Sequence, residues 1–179
     1  MHLRLSDHPA CPNRTVDRID VLIERVSPTA LHLRYTVTGR IADILVPPPG
    51  PPFRRDGLWK TTCFEAFLRP AGVSGYREFN FSPSGQWAAY DFTAYRDGRV
   101  QAALPAAPDM RLVTESEVLV LDVALAVDLR QEPYRLGLSA VIEERGGSKS
   151  LWALNHPGKA PDFHHDTCFA AELPPAPRP

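Results

Sequence analysis

The amino-acid sequence predicts an all-β domain in which two antiparallel sheets pack face to face as a β-sandwich. Apolar and polar residues alternate with a period of two in almost every apolar segment, as is typical of half-buried antiparallel strands. Turn residues separate these short segments, and no window has the apolar spacing of a helix. Short strands with turns between them favour an immunoglobulin-like or jelly-roll type of sandwich.

The alternation gives the expected strands in order along the chain. Leu31, Leu33 and Tyr35 share one face of an early strand, and Leu136 and Leu138 share one face of a late strand. The same pattern predicts strands at 16–26, 29–38, 41–46, 61–69, 75–82, 86–93, 110–115, 117–125, 134–144, 149–154 and 167–173.

The most specific local prediction is a hairpin around residues 82–85. Pro83 presets the φ angle of a type I turn, and Gly85 can take the left-handed conformation that closes a three-residue loop. This register pairs Phe81 with Trp87 on an apolar face. The opposite face then carries polar and amphipathic side chains, namely Tyr76, Glu78, Asn80 and Tyr90.

An acidic residue, Glu65, lies in the middle of the strand predicted at 61–69, on the face opposite Phe64 and Ala66. With Glu78 it could form a carboxylate pair for glycoside hydrolysis if the two carboxyl groups were about 5–10 Å apart. The sequence has no nucleophile elbow, phosphate-binding loop or dinucleotide fingerprint. We therefore expect a protein that is not an enzyme.

Length and composition indicate one domain and exclude several kinds of partner. The chain has 179 residues and is expected to fold as a single domain, with its core at about 15–173 and a Pro-rich tail at 174–179. Its 20 basic and 21 acidic residues give no basic face for nucleic acid. No apolar run is long enough to span a membrane and no signal peptide is evident, so we expect a cytoplasmic protein.

Polar chemistry is concentrated in the stretch 151–168, which contains His156, His164 and His165. The spacing of these residues matches no zinc signature, and adjacent histidines on an extended chain point apart. We therefore expect neither a metal nor another cofactor.

Three segments carry a resemblance to the DOMON-like superfamily, which includes the family 9 carbohydrate-binding modules. They are LWKTTCFEAFL at 58–68, YREFNFSPSGQWAAYD at 76–91, and a tail with LWALNHP at 151–157 and PDFHH at 161–165. The tail is similar to that of small bacterial DOMON-like proteins. The resemblance covers about residues 15–173 and implies a β-sandwich with a ligand site on one side.

The resemblance also implies candidate ligand-binding residues. In the carbohydrate modules two tryptophans enclose a terminal sugar and an acid bonds its hydroxyls, which Trp59, Trp152 and Glu65 match here, with Asn155 as a polar neighbour of Trp152. A straight strand would place Trp59 and Glu65 roughly 20 Å apart, so the chain must bend near 57–60 if both contact one ligand. The calcium-binding acids of those modules have no counterpart in this sequence.

The sequence thus favours non-catalytic binding of a small ligand, most readily a carbohydrate or a sugar-like metabolite. The site is expected to have Glu65, Glu78, Asn80 and Tyr90 on its floor and Trp59 and Trp152 at its rim, with Asn155, His156, His164 and His165 as further candidates. One alternative is a module for sensing or electron transfer that binds haem or another cofactor, since other DOMON domains hold haem through Met and His. The other is a protein-interaction domain without a small ligand.

Overall fold

A computed structural model of the protein describes residues 1–11, 13–129 and 132–175. The last four residues of the predicted Pro-rich tail, 176–179, lie outside the described residues. Twelve strands form within the described part: β1 His2–Asp7, β2 Val16–Ser27, β3 Ala30–Gly39, β4 Cys63–Pro70, β5 Tyr76–Phe81, β6 Trp87–Phe92, β7 Val100–Gln101, β8 Asp109–Thr114, β9 Val118–Ala126, β10 Tyr134–Glu143, β11 Lys149–Ala153 and β12 Ala171–Leu173. Helical structure there is limited to single 3-10 turns at Ile41–Asp43, Leu58–Lys60 and Asp166–Cys168.

The strands form one curled antiparallel sheet, in the order β7-β6-β5-β4-β10-β11-β1-β2-β3-β9-β8, with β12 paired to β10. The prediction of an all-β antiparallel fold is therefore confirmed. Strand β1 joins the two halves of this order, because its first residues pair with β2 whereas Ser6 and Asp7 pair with β11. The expected separation into two sheets is not confirmed, since β1 hydrogen-bonds to strands on both sides.

The main core lies inside the curl, where β3 faces β4. The rings of Tyr35 and Phe64 are 5.0 Å apart between their centroids. The Tyr35 hydroxyl, which is buried, donates a hydrogen bond of 2.9 Å to the backbone carbonyl of Glu65. Apolar residues at alternate positions of the facing strands fill the space around this contact, including Phe64, Phe79, Phe81, Leu121 and Leu138.

The predicted hairpin of β5 and β6 is confirmed in its turn and in its register. Gly85 has a φ of 89°, and its N–H donates to the Ser82 carbonyl at 3.0 Å. Phe81 pairs with Trp87, and both side chains enter the main core. The hairpin therefore turns Glu78 to the opposite face of the sheet, as its sequence predicts.

Two regions differ from the predicted strands. The strand expected at 41–46 is instead a 3-10 turn followed by a single β-bridge at Ile44. Ile41 and Ile44 are three residues apart and both buried, and a 3-10 turn places residues at this spacing on the same side of the chain. The proline run that follows removes the N–H groups that would extend a ladder. The strand expected at 167–173 keeps only its last three residues, and the short strands β1 and β7 were not predicted.

The face of β4, β5 and β6 opposite the main core is also buried. A second apolar cluster covers it, formed by Leu58, Cys63, Phe67, Tyr76, Ala88, Tyr90, Phe92 and Phe169. Trp59 and Phe163 pack against this cluster from neighbouring loops. The central strands are thus enclosed on both sides, and polar side chains on this second face, such as Glu65, Glu78 and Asn80, are buried.

No helix among the described residues has the length and apolar character needed to cross a bilayer.

Removing the hydroxyl that joins β3 to β4 should destabilise the fold. Tyr35→Phe leaves the shape of the core intact but takes one buried partner from the Glu65 carbonyl, so we expect a loss of about 1 kcal/mol in the free energy of unfolding. Urea unfolding measures this loss, and the m-value should be the same in the variant and the unmodified protein. Thr114→Val is the control, because it removes an exposed hydroxyl at the end of β8. An equal loss in both variants would contradict this role for Tyr35.

Candidate functional site

Two buried carboxyl groups lie on adjacent strands, on the second face of the sheet. Glu65 on β4 is opposite Asn80 on β5, and Glu78 is opposite Phe67. The two glutamates are therefore diagonal neighbours on one face, a relation within reach of long side chains. Glu65 is 3 % exposed and Glu78 is 6 % exposed, which is unusual for acidic residues in a folded protein.

The hydrogen-bond partners of these carboxyl groups are neutral. Glu65 Oε2 accepts a bond of 2.8 Å from the Ser139 hydroxyl on β10. Glu78 Oε1 accepts a bond of 2.5 Å from the side-chain amide of Asn80, which is itself completely buried. The other oxygen of Glu78 lies 3.7 Å from Nε2 of His164.

Burial governs the protonation of this pair. Burial first, and then the charge of Glu78, raises the pKa of Glu65 to about 8. Burial also raises the pKa of Glu78, partly offset by the bond from Asn80 and by the positive charges of Arg99 and Arg96. At neutral pH the pair therefore holds a proton on Glu65, and the site offers both a carboxyl donor and carboxylate acceptors.

His164 closes the site above Glu78 and is held neutral. Burial first, and then the charge of Arg96, lowers the pKa of His164 to about 4. Its Nδ1 lies 2.7 Å from the Tyr76 hydroxyl, which also accepts a bond of 3.2 Å from the Arg96 N–H. The Tyr76 proton is then free to bond Nδ1, so the imidazole proton lies on Nε2, directed towards Glu78.

The carboxyl pair opens into a cavity of about 520 Å³ with mainly apolar walls. This volume lies within the range of small-molecule sites, about 300–1,000 Å³. Glu65, Glu78 and His164 supply polar groups on its surface. Its apolar walls are formed by Trp59, Phe92, Val141, Leu151, Pro161 and Phe163.

A turn of the chain brings Trp59 to the same cavity as Glu65. Gly57 has a φ of 79°, in the left-handed region that favours glycine, and the 3-10 turn Leu58–Lys60 follows it. This is the bend that the spacing of the two residues requires. The Trp59 ring meets the Tyr90 ring edge-on, with 6.3 Å between centroids, and Tyr90 is fixed by a bond of 2.6 Å to Asp56.

Two arginines of the cavity were not predicted from the sequence. Arg96 and Arg99 lie in the loop after β6, and Arg96 has a φ of 54°. The guanidinium of Arg96 donates to Asp162 at 2.7 Å, and that of Arg99 lies 5.0 Å from the centroid of the Tyr90 ring. The only sequence signal for these residues was their position in a loop directly after a predicted site strand.

The structure brings together most of the predicted floor. Trp59, Glu65, Glu78 and His164 line the cavity. Asn80 lies below it as a partner of Glu78, and Tyr90 supports Trp59 from the side.

The other predicted residues lie elsewhere. The prediction that Trp152 lies at the rim was wrong. Trp152 pairs with Ala140, and its side chain lies in the main core, on the opposite face of the sheet. Its indole N–H donates a hydrogen bond of 2.9 Å to the Ser150 hydroxyl. The three remaining candidates bond backbone groups outside the cavity: Asn155 donates to the Thr167 carbonyl, His156 to the Ser6 carbonyl, and His165 accepts from the Thr167 N–H. Within the described residues, no group of three or more His, Cys, Asp or Glu side chains is arranged to hold a metal ion.

Comparison with known proteins places the fold. No family model and no curated protein matches the sequence. Solved structures do match. A candidate carbohydrate-binding protein from Bacteroides uniformis aligns with a TM-score of 0.61 and 14% identity, over 90% of this chain and 82% of that one. The chain shares its fold with carbohydrate-binding proteins.

A family 9 carbohydrate-binding module from Caldicellulosiruptor kristjanssonii is also similar in structure. Its complex with glucose aligns with a TM-score of 0.55 and 7% identity, over 98% of this chain and 86% of the module. Its complex with cellotriose gives the same TM-score and identity, over 99% of this chain and 84% of the module.

Protonation of Glu65 should make stability depend on pH. The folded protein keeps this proton up to about pH 8, whereas the unfolded chain loses it near its ordinary value of 4.5. The free energy of unfolding should therefore fall between pH 6.5 and 8, by up to about 1 kcal/mol per pH unit. His164 acts in the opposite direction, but only between about pH 4 and its ordinary value of 6.5.

Urea unfolding at four pH values between 6.5 and 8 measures this slope. Glu65→Gln should flatten it, because the amide does not titrate. Glu24→Gln, at an exposed position on β2, should keep the slope of the unmodified protein. The same slope in Glu65→Gln and the unmodified protein would show that Glu65 does not hold the proton.

Proposed function

We propose that this protein is a non-catalytic binding module for a small carbohydrate or a sugar-like metabolite. The observation that carries the proposal is the cavity itself, in which Trp59 and other apolar walls enclose the buried carboxyl groups of Glu65 and Glu78. The shared fold supports it, since one similar module was solved with glucose and with cellotriose.

The chemistry of the cavity suits a polyhydroxylated ring. A sugar has one apolar face of C–H groups, which can pack on a rigid aromatic ring such as Trp59 at little entropic cost. Its hydroxyl groups both donate and accept hydrogen bonds, and a protonated Glu65 beside Glu78 supplies both kinds of partner. Both carboxyl groups are buried, and burial strengthens each of these bonds relative to water.

We further propose that the chain is a DOMON-like protein of bacterial type, as its sequence motifs suggest, and that its curled sheet is a variant of the two-sheet sandwich of such modules. We propose a cytoplasmic location, and a small molecule rather than nucleic acid or membrane as the partner. The net charge of −1 supports the absence of a nucleic-acid partner.

The haem alternative finds little support in the cavity. His164 is the histidine that lines it, and its Nδ1 is engaged by Tyr76 while its Nε2 faces Glu78. Neither nitrogen is presented as a free axial ligand.

Titration calorimetry against a panel of sugars that includes glucose and cellotriose tests the proposal. Trp59→Ala should weaken binding by about tenfold, since about 1.4 kcal/mol of lost ring contact is a factor of ten. Phe53→Ala is the matched control, because Phe53 is an exposed aromatic residue that does not line the cavity.

Two outcomes would reject this assignment. Equal affinity in Trp59→Ala and the unmodified protein would place the site elsewhere, and binding of no sugar in the panel would overturn the function. Prolonged incubation with each oligosaccharide should release no new reducing ends, and release that disappears in Glu65→Gln would show that the carboxyl pair is catalytic.

A further inference from the structure

Both carboxyl groups in the cavity lack a cationic partner. Buried carboxylates in proteins are ordinarily paired with a positive group. Here Glu65 bonds a hydroxyl and Glu78 bonds an amide. Among the described residues, no Lys or Arg forms an ion pair with either, and the nearby His164 is neutral.

The two arginines of the cavity are directed to other groups. Arg96 bonds both Asp162 and, through its backbone, the Tyr76 hydroxyl. Arg99 lies over the face of the Tyr90 ring. Their charges reach Glu78 through space, but neither guanidinium forms an ion pair with the carboxyl group of Glu65 or Glu78.

The cavity walls add a second feature that favours a cation. Trp59, Phe92 and Phe163 are aromatic residues that line the same space as the two carboxyl groups. The face of an aromatic ring carries negative charge and attracts an ammonium group, most strongly in a desolvated site. An apolar wall next to a carboxyl pair is thus complementary to a ring that bears a positive group.

We propose, building on the proposed function, that the preferred ligand is an amino sugar in its ammonium form. The ammonium group binds between Glu65 and Glu78, and the sugar ring packs against Trp59. An ammonium group has three donors and no acceptor, so it can bond both carboxylates at once. It replaces the proton that Glu65 otherwise holds, and that proton passes to the solvent.

The high pKa of Glu65, about 8, supports this assignment, because it shows a carboxyl group that stays neutral for want of a compensating charge. Among the described residues, the other titratable or charged groups around the pair are His164, Arg96, Arg99, Cys63, Tyr35, Tyr76 and Tyr90. Burial keeps His164 and the Cys63 thiol uncharged at neutral pH by shifting their pKa values, downward for the imidazole and upward for the thiol.

Titration calorimetry at pH 6.5, on the full chain, tests the proposal. Glucosamine and galactosamine are compared with glucose, galactose and N-acetylglucosamine, which has the same nitrogen without its charge. We expect at least one amino sugar to bind about tenfold or more tightly than its neutral counterparts, as a charge-assisted pair predicts. The heat should differ between phosphate and MES buffers, which differ in ionisation enthalpy, because binding releases a proton.

Variants connect this preference to the carboxyl pair. Glu65→Gln and Glu78→Gln should each reduce the ratio of amino-sugar to neutral-sugar affinity towards one, and Glu65→Gln should abolish the dependence on buffer. Asp91→Asn is the matched control, because Asp91 pairs with Arg77 outside the cavity. That variant should keep both the preference and the proton release.

The possible failures are distinguishable. If neutral sugars bind as tightly as amino sugars, the proposed function stands and this inference is wrong. Tighter binding of glucuronate than of any amino sugar would assign selectivity to Arg99 and would also overturn it. A preference for the amine that survives in both glutamine variants would place the ammonium elsewhere. Binding of no sugar would reject the inference together with the proposed function.

Discussion

The central strands are buried on both faces, and this constraint determines the rest of the site. Side chains of β4 alternate between the main core and the second apolar cluster, so its central residues are all buried. The Tyr35 hydroxyl holds the backbone of Glu65 from the core side. The side chain of Glu65 must therefore point into the second face, where only a cavity can accommodate a carboxyl group.

Aromatic residues from both strands and loops cover that second face. Phe92 stacks on Tyr76 at 4.7 Å with their planes nearly parallel, and Phe169 meets the Tyr76 ring edge-on. His164 adds its ring edge-on to Phe92 at 5.2 Å. The same aromatic contacts that exclude water also fix the imidazole above Glu78, so the packing that raises the pKa of the acids also orients their neighbours.

Much of this architecture could be predicted from the sequence because it depends on local pattern. The period of two, together with a turn of fixed geometry around Gly85, determines which residues of β5 and β6 face the core. Trp152 shows the limit of that reasoning. Its strand has apolar residues at consecutive positions, Leu151 and Trp152, so alternation does not show which of the two faces the main core. The pairing of Trp152 with Ala140 determines this. Arg96 could not be predicted either, since its position depends on how a loop folds back onto Asp162.

The charges of the site form two separate systems. Asp162 accepts from Arg96 and from the Tyr95 hydroxyl, and these bonds lower its pKa despite partial burial, so it stays ionised. Glu65 and Glu78 instead accept bonds from neutral donors, and Glu65 keeps its proton. Both systems lie at the boundary of one cavity, yet the first is satisfied within the protein and the second is not.

Because an unsatisfied buried charge is costly, the free energy that a ligand can gain is concentrated at the carboxyl pair. Rigid strands hold that pair in position before any ligand arrives, so little ordering is required on binding. The selectivity of the cavity is thus built into two adjacent strands, while the surrounding loops determine how much water, and how large a ring, can reach them.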